Sequence, residues 1–273
     1  MLSELYQALD PVAFSIGIIS VRWYGIAYML GVVIACYLMV RISKHWKIKI
    51  TIDDVLTFAL AAIIGIIIGG RLGYVLFYGQ GYYFEHPELI LAFSSGGMSF
   101  HGGVIGMVLA LLVVSRYTKI PYLTLGDLTV IAAPVGLFLG RVANFINGEL
   151  WGATTTLPWG VVFDGAGPLP RHPTQLYEAL LEGLVLFIIL SALSRRVPAR
   201  PQGTFIGVFM LLYGVFRIVV EFVREPDVQL GYLFGGWLTM GMVLSLLLII
   251  AGIGFLIFAR VKKLPQSGPM QRS

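Results

Sequence analysis

The sequence predicts an all-α integral membrane protein with seven transmembrane helices and a small periplasmic cap. The chain of 273 residues is 58% hydrophobic and only 12% charged, and its mean hydropathy is +0.86. An ordinary soluble domain carries about twice that charged fraction, and disordered chains are poor in apolar residues. The composition therefore argues against both of these classes.

Seven stretches reach the length of about 20 mostly apolar residues that a transmembrane helix needs. No long hydrophilic segment separates them, so residues 1–273 are predicted to form a single membrane domain. Two long connections, 79–97 and 147–174, are rich in Gly, Pro and aromatic residues and are predicted to form the cap. The predicted spans lie at about 16–40, 55–78, 98–115, 125–146, 175–194, 203–222 and 236–259.

The basic residues predict the orientation of the spans. Thirteen of the 19 Lys and Arg residues fall in segments on one side of the membrane, which the positive-inside rule makes cytoplasmic. The N-terminus is then periplasmic and the C-terminus cytoplasmic. Topology thus accounts for the net charge of +5, and no nucleic-acid partner is predicted. The thirteen are Arg41, Lys44, Lys47, Lys49, Arg116, Lys119, Arg195, Arg196, Arg200, Arg260, Lys262, Lys263 and Arg272.

Six arginines are not explained by this rule. They are Arg22, Arg71, Arg141, Arg171, Arg217 and Arg224. All except Arg171 and Arg224 are predicted to lie within spans, each roughly 8–11 Å below the outer surface at the ~1.5 Å rise per residue of a helix. Guanidinium binds oxyanions through a planar, two-pronged geometry, and the abundant oxyanion of the outer leaflet is the phospholipid phosphate. The pattern favours an outward-opening site for an anionic lipid, although snorkelling or a structural salt bridge would explain any single arginine.

The densest polar cluster is the run GRVANFINGELWG at 140–152. Arg141 and Asn144 are three residues apart and share a helical face, and the Asn-Gly pair at 147–148 is predicted to end the helix. Glu149 follows just past that turn. These polar groups are predicted to form a site, while the alternative is that they satisfy backbone groups at a buried helix end.

His101 is the candidate proton carrier. It lies in the run 99–103 at the outer start of the third span, where a helix N-terminus favours phosphate and histidine exchanges a proton near neutral pH. His172 competes for this role, but its place before Pro173 is more typical of the entry into a helix. Glu221, four residues after Arg217, is predicted to pair with it on one helical face.

The sequence predicts no metal site and no cofactor. Its carboxylates are matched by arginines, and the GxSxG, P-loop and HExxH motifs do not occur. The single cysteine, Cys36, lies in an apolar stretch and is predicted to be an inert packing residue. Gly65 and Gly69 form a GxxxG pattern, which is typical of helix packing in membranes.

Four runs resemble motifs of the bacterial prolipoprotein diacylglyceryl transferases, and the resemblance covers essentially the whole chain. They are GRVANFINGELWG at 140–152, FHGG at 100–103, HPTQLYE at 172–178 and FRIVVEFVREPD at 216–227. The resemblance implies a multi-pass protein of the bacterial inner membrane with its active site toward the outer leaflet. Many members follow the Trp-Gly with a basic residue where this chain has Ala153–Thr156, which puts a secondary lipid contact in the cap in doubt.

The resemblance also implies a reaction. The enzyme would transfer the diacylglyceryl group of phosphatidylglycerol to the lipobox cysteine thiol of a preprolipoprotein signal peptide, forming a thioether and releasing glycerol phosphate, with no cofactor. Its partners would be these two substrates and membrane lipids. Arg141 and Arg217 would clamp the phosphate and His101 would help to deprotonate the thiol, so these three are the predicted catalytic residues. The predicted substrate-binding residues are Arg141, Tyr24, Asn144, Asn147, Glu149, Gly152, Glu221 and Arg71.

Two other functions are considered from the residues alone. A transporter or flippase for an anionic lipid or solute would distribute charge through the whole thickness of the membrane, whereas the polar groups here cluster in the outer third. A scaffold that only binds lipid would not need a proton-carrying histidine beside arginines. The transferase is therefore the leading hypothesis.

Overall fold

The protein is described from a computed structural model that covers residues 2–17, 19–79, 81–92, 96–225, 231–234 and 236–269. The chain forms two compact units. Unit 1 comprises Met1–Met39 and Asp127–Pro265, and unit 2 comprises Val40–Gly126 and Gln266–Ser273. Arg272 of the predicted cytoplasmic tail, residues 226–227 of the last motif, and residues 80 and 93–95 of the predicted cap lie outside the described residues.

The seven long helices confirm the prediction of a mostly helical chain with seven candidate membrane spans. Each is long and apolar enough to cross a bilayer, and each overlaps one predicted span. They are α2 (Trp23–His45), α3 (Ile52–Phe77), α5 (Phe100–Thr118), α6 (Tyr122–Asn147), the continuous helix Thr174–Ser194, α9 (Thr204–Glu221) and α10 (Met240–Lys262).

One long helix is composite, and several short elements lie outside the long helices. The helix Thr174–Ser194 consists of α7 (Thr174–Glu178), a π-helical turn (Ala179–Val185) and α8 (Leu186–Ser194). The remaining elements are α1 (Leu2–Gln7), β1 (Val12–Ile16), β2 (Ile19–Arg22), α4 (Tyr82–Glu85), a 3-10 turn (Pro87–Leu89), β3 (Tyr232–Phe234) and β4 (Leu238–Thr239).

The start of the first span differs from the prediction. Helix α2 begins at Trp23, and the residues before it form an antiparallel hairpin of β1 and β2 with Gly17 at a φ of +60° in its turn. Arg22 is the last residue of β2, so its predicted place inside a helical span is wrong. The physical reason is that hydropathy measures apolar content only, and the β-branched residues before Arg22 continue the apolar run as a strand.

Unit 1 packs α9 against α10 through small residues. A Cβ on Gly207 would lie 2.9 Å from the carbonyl oxygen of Gly252, and one on Gly214 would lie 2.8 Å from that of Ser245. At the N-terminus of α9, the buried Asp127 accepts hydrogen bonds from the backbone N–H groups of Gly203 (2.8 Å) and Ile206 (2.9 Å). This carboxylate satisfies two of the free amides of the helix N-terminus.

A small apolar core in unit 1 lies beneath the segment that follows α6. Tyr6 of α1 packs edge to face on Phe145 and Phe163, with ring centroids 5.7 and 4.9 Å apart. Val161 and Phe163 are fully buried there. This cluster attaches the N-terminal helix and residues 161–163 to the end of α6, next to the polar motif.

Unit 2 is built on the close packing of α3 and α5. A Cβ on Gly106 would lie 1.9 Å from the carbonyl oxygen of Gly65, and one on Gly102 would lie 2.2 Å from that of Gly69. Only glycine permits this approach of two backbones. The prediction that the GxxxG pattern at 65–69 packs two helices is confirmed.

Candidate functional site

The polar motif at the end of α6 forms a hydrogen-bonded group. Helix α6 ends at Asn147 and Gly148 has a φ of +67°, which confirms the predicted turn at the Asn-Gly pair. The side-chain amides of Asn144 and Asn147 both donate to Oε1 of Glu149, at 2.7 and 3.2 Å. Glu149 is exposed while Asn144 is buried, so the carboxylate fixes the buried amide from the solvent side.

Gly152 lies where three backbone segments cross. Its N–H donates to the carbonyl oxygen of His172 (2.9 Å), and it forms a bridge with Arg224 in the chain that leaves α9. A Cβ at this position would lie 2.4 Å from the carbonyl oxygen of Val223 and 2.7 Å from a methyl carbon of Thr174. Because Gly152 has no side chain, its backbone can lie directly against the start of α7 and the chain that follows α9.

The first turn of α7 donates hydrogen bonds to the backbone of the polar motif that follows α6. The hydroxyl of Thr174 donates to the carbonyl oxygen of Leu150 (2.9 Å), and the side-chain amide of Gln175 donates to that of Glu149 (2.6 Å). Both side chains are fully buried. Buried polar groups of this kind are costly unless paired, so these bonds fix the motif relative to α7.

Glu178, the last residue of α7, joins three arginines. Its carboxylate is fully buried and lies 2.7 Å from Nε of Arg141 on α6 and 3.0 Å from Nη1 of Arg224. It also accepts a short hydrogen bond from Nη1 of Arg217 on α9. A carboxylate that receives several charge-assisted bonds is strongly held. We call these three arginines, together with the glutamates that pair with them (Glu178 and Glu221), the arginine cluster.

Arg217 has a second carboxylate partner. Glu221 lies 2.9 Å from its Nη2, one helical turn further along α9, which confirms the predicted pair. The hydroxyl of Thr239 at the start of α10 donates to Glu221 Oε1 at 2.8 Å. Both terminal nitrogens of Arg217 are thus paired, and the guanidinium is fixed between α7 and α10.

Arg141 is held differently. Only its Nε pairs with Glu178, and its terminal nitrogens donate to no atom of the described residues. Its side chain is 20% exposed. Tyr24 lies within electrostatic reach of both Arg141 and Glu149, and its hydroxyl is 3.0 Å from that of Tyr28. The forked end of Arg141 remains available for an oxyanion.

His101 is in unit 2, whereas Arg141 and Arg217 are in unit 1. It is the second residue of α5 and is exposed. Ser99 caps this helix by accepting a hydrogen bond from the N–H of Gly102 at 3.2 Å. The imidazole contacts the ring of Phe100, with centroids 5.7 Å apart, and its nitrogens bond to none of the described residues. The ring nitrogens of His101 are therefore exposed and able to exchange a proton.

His172 forms a hydrogen-bonded trio with Trp159 and with Tyr177 of α7. Trp159 donates to the Tyr177 hydroxyl at 2.7 Å, and Nδ1 of His172 lies 3.3 Å from the same oxygen. Because tryptophan only donates, the tyrosine oxygen accepts from Trp159, while either Tyr177 or His172 is the donor in the second bond, depending on the histidine tautomer. Burial lowers the pKa of His172 from its ordinary value. The prediction that His172 marks a helix entry is confirmed, since α7 begins two residues later.

Arg71 is buried within unit 2 and holds a loop. Its side chain is 1% exposed. It donates to the carbonyl oxygens of Leu89 (2.7 Å), Ile90 (2.6 Å), Gly96 (2.6 Å) and Gly97 (3.1 Å). Four of its five N–H groups are thereby used. This geometry favours a structural role for Arg71 over the predicted contact with substrate.

The comparisons with known proteins agree with these motifs. A family model described as prolipoprotein diacylglyceryl transferase matches residues 11–258. The chain belongs to this family. It is 49% identical over 255 residues to the phosphatidylglycerol–prolipoprotein diacylglyceryl transferase of Nitratidesulfovibrio vulgaris strain DP4, covering 92% of this chain and 95% of the relative. It is 48% identical over 258 residues to the transferase of the same name from Geobacter sulfurreducens, covering 94% and 98% of the two chains.

Three residues that the structure places at or beside the arginine cluster were not among the predicted site residues. Glu178 and Gln175 lie within the HPTQLYE run, and Arg224 was placed in a connection. The available signal was the spacing of 175, 178 and 182, which puts three polar residues on one face of an apolar helix. Within the described ranges no three His, Cys, Asp or Glu side chains converge as a metal site would require.

Replacing Arg71 with lysine tests its structural role. An ammonium has three donors on a flexible stem and would leave buried carbonyls unpaired, at about 1–3 kcal/mol each. We expect Arg71→Lys to lower the thermal unfolding midpoint of the detergent-purified protein by several degrees and to speed proteolysis between residues 86 and 97. Arg116→Lys, at an exposed position of α5, is the matched control. Unchanged stability and proteolysis in Arg71→Lys would show that the loop does not depend on the guanidinium.

Proposed function

We propose that this chain transfers the diacylglyceryl group of phosphatidylglycerol to the lipobox cysteine thiol of a preprolipoprotein. The bond between the diacylglyceryl carbon and the phosphate oxygen breaks, and a carbon–sulfur bond forms. Glycerol phosphate leaves with the bonding electrons, and the thiol gives up its proton. The observation that carries the proposal is the arginine cluster, in which three part-buried guanidiniums pair with Glu178. Among the described residues, the terminal nitrogens of Arg141 have no partner.

Arg141 and Arg217 are proposed to bind the lipid phosphate and to stabilise the charge that grows on it. Their carboxylate partners hold the guanidiniums in place before substrate arrives, so no reorganisation is required as the bond breaks. The terminal nitrogens of Arg141 match the geometry of two phosphate oxygens. The low exposure of both side chains, 20% and 14%, strengthens such an interaction because little water competes.

The remaining unit 1 residues are proposed to orient the headgroup and the arginines. Asn144 and Asn147 meet on Glu149, and Tyr24 lies close to this carboxylate. These groups provide hydroxyl and amide contacts suited to the glycerol of the lipid. Gly152 allows the cap to approach α7 and α9, while Glu221 holds Arg217 as a positioning residue.

His101 is proposed to accept the thiol proton. A free thiol is mostly protonated at neutral pH, and only the thiolate is strongly nucleophilic. The imidazole is exposed and bonds to no described residue, which suits a transient base. The nucleophile belongs to the peptide substrate, so the buried Cys36 takes no part.

The proposed location is the bacterial inner membrane, with the cap and the active site toward the outer leaflet. The support is the distribution of basic residues: α2, α5 and α10 carry cations in their last turns, which would all lie at the cytoplasmic side. The arginine cluster lies at the opposite ends of its helices, near the start of α7 and the end of α9. A cluster confined to one end of the spans favours chemistry at one leaflet over a transport pathway.

The proposed transferase activity is tested with purified protein, phosphatidylglycerol and a synthetic lipobox peptide, by following the release of glycerol phosphate. We expect Arg141→Lys to keep the charge but lose the fork, so that turnover falls about 100-fold, as on removal of one charge-stabilising donor. Arg116→Lys is the control and should match wild type. No release by wild-type protein that still binds the lipid would contradict the proposed reaction, and normal turnover of Arg141→Lys would make that side chain structural.

The orientation is tested by labelling single cysteines on spheroplasts with a membrane-impermeant maleimide. In a Cys36→Ser background, we expect Thr156→Cys in the cap to react before lysis. Leu264→Cys, beyond the end of α10, should react only after lysis. Both positions are exposed and neither substitution changes a charge. The reverse order of labelling would contradict the proposed topology.

A further inference from the structure

The hairpin that leads into the first membrane span has two chemically different faces. The antiparallel register of β1 and β2 sets Phe14 opposite Val21. The next pair sets Ser15 opposite Ser20. Directly opposed residues share one face of a sheet, and successive residues of a strand alternate between the faces. Phe14, Ile16 and Val21 therefore lie on one face, and the two serines lie on the other.

The apolar face of the hairpin is open, whereas its polar face is self-contained. Phe14 is 50% exposed and Ile16 is 69% exposed. On the other face, the hydroxyl groups of Ser15 and Ser20 lie 3.0 Å apart and form a hydrogen bond. A two-stranded hairpin is marginally stable alone in water, and adjoining exposed apolar side chains mark a surface that contacts another molecule or a membrane. The apolar face therefore calls for a partner.

The continuity of the chain places this face beside the bilayer. Strand β2 ends at Arg22, and α2, the first candidate membrane span, begins at the next residue, Trp23. The backbone N–H of Trp23 donates to the carbonyl oxygen of Pro11 at 3.1 Å, which ties the start of the span to the start of the hairpin. Both Arg22 and Trp23 are exposed. Tryptophan is enriched where a membrane meets water, and arginine reaches from apolar surfaces to polar headgroups.

The backbone of the hairpin limits how deeply it enters the membrane. Among the described residues, β1 and β2 pair only with each other, so each strand has one edge without a strand partner. Unpaired backbone N–H and C=O groups are costly in the hydrocarbon region. At the level of the headgroups, water reaches both edges while the apolar side chains still reach the acyl chains.

We propose that the β1–β2 hairpin is a lipid anchor, with its Phe14 and Ile16 face immersed in the interfacial layer of the bilayer and its serine face in water. The anchor fixes the level at which α2 enters the membrane. It thereby also fixes the level of Tyr24, the second residue of that helix. The proposal needs only the hairpin and the span, so it stands or falls independently of the proposed transfer reaction.

The test places an environment-sensitive fluorophore on single cysteines of the full chain, in a Cys36→Ser background and in vesicles of phosphatidylcholine and phosphatidylglycerol. Phe14→Cys and Ile16→Cys probe the apolar face. Ser15→Cys and Ser20→Cys are the matched controls on the other face. All four positions are exposed, so no label displaces a core side chain. Nitroxides near the headgroup end of the acyl chains report contact with lipid, and iodide in the buffer reports contact with water.

We expect nitroxide quenching to be about threefold stronger at positions 14 and 16 than at 15 and 20, because alternate residues of a strand point to opposite faces. Iodide quenching should follow the reverse order. The double variant Ser15→Cys/Ser20→Cys should form a disulfide on mild oxidation in the same vesicles, which establishes that the hairpin is folded there.

Two results would overturn the proposal. Equal quenching on the two faces would show that the hairpin does not lie against the bilayer. Shielding of positions 14 and 16 from both quenchers would show that a protein surface covers the apolar face, either a second copy of the chain or, where it appears only on addition of a lipobox peptide, that peptide.

Discussion

The arrangement of unit 1 depends on one buried carboxylate, that of Glu178. Three guanidiniums reach it from α6, from α9 and from the chain that follows α9. Three part-buried arginines without this carboxylate would repel one another, and a fully buried carboxylate without them would be costly. Each side of the interaction therefore requires the other, and the network fixes where α6, α7 and α9 meet. Within the part of the chain that the structure describes, the forked end of Arg141 has no partner, which links the packing of the helices to the proposed binding of phosphate.

Close backbone contact occurs within each of the two units. In unit 2, α3 and α5 approach through Gly65 and Gly106, where even a methyl group would collide with a carbonyl. In unit 1, Gly152 allows three backbone segments to cross beside α7. Glycine in a helix ordinarily weakens it, but between apolar helices it permits the packing that drives association in a membrane. This member of the prolipoprotein diacylglyceryl transferase family thus combines glycine-rich helix interfaces with a few buried or part-buried ions.

Local features of the sequence predicted local structure. The pairing of Glu221 with Arg217 follows from their spacing, and the turn at Gly148 follows from the Asn-Gly pair. The hydrogen bond from Arg217 to Glu178 joins residues 39 positions apart, and no spacing rule reaches that far. Arg71 donates to backbone carbonyls. Every residue has such a carbonyl, so the residue types in the sequence do not indicate which ones Arg71 binds. Arg22 was misplaced because an apolar strand and an apolar helix have the same hydropathy. The sequence therefore predicted which polar residues are candidates for the site, whereas the shared pairing of three arginines with Glu178 was visible only in the fold.

The central role of the Glu178 carboxylate is tested most directly by the turnover of Glu178→Gln in the glycerol phosphate assay. The amide keeps the size of the side chain but removes the charge that aligns Arg141 and Arg217, so kcat/KM should fall by about 100-fold, as expected for loss of a charge-stabilising arrangement. Glu225→Gln, which breaks a glutamate–arginine pair with Arg171 in the cap, should retain most activity. Wild-type turnover of a folded Glu178→Gln protein would contradict the central role of this carboxylate.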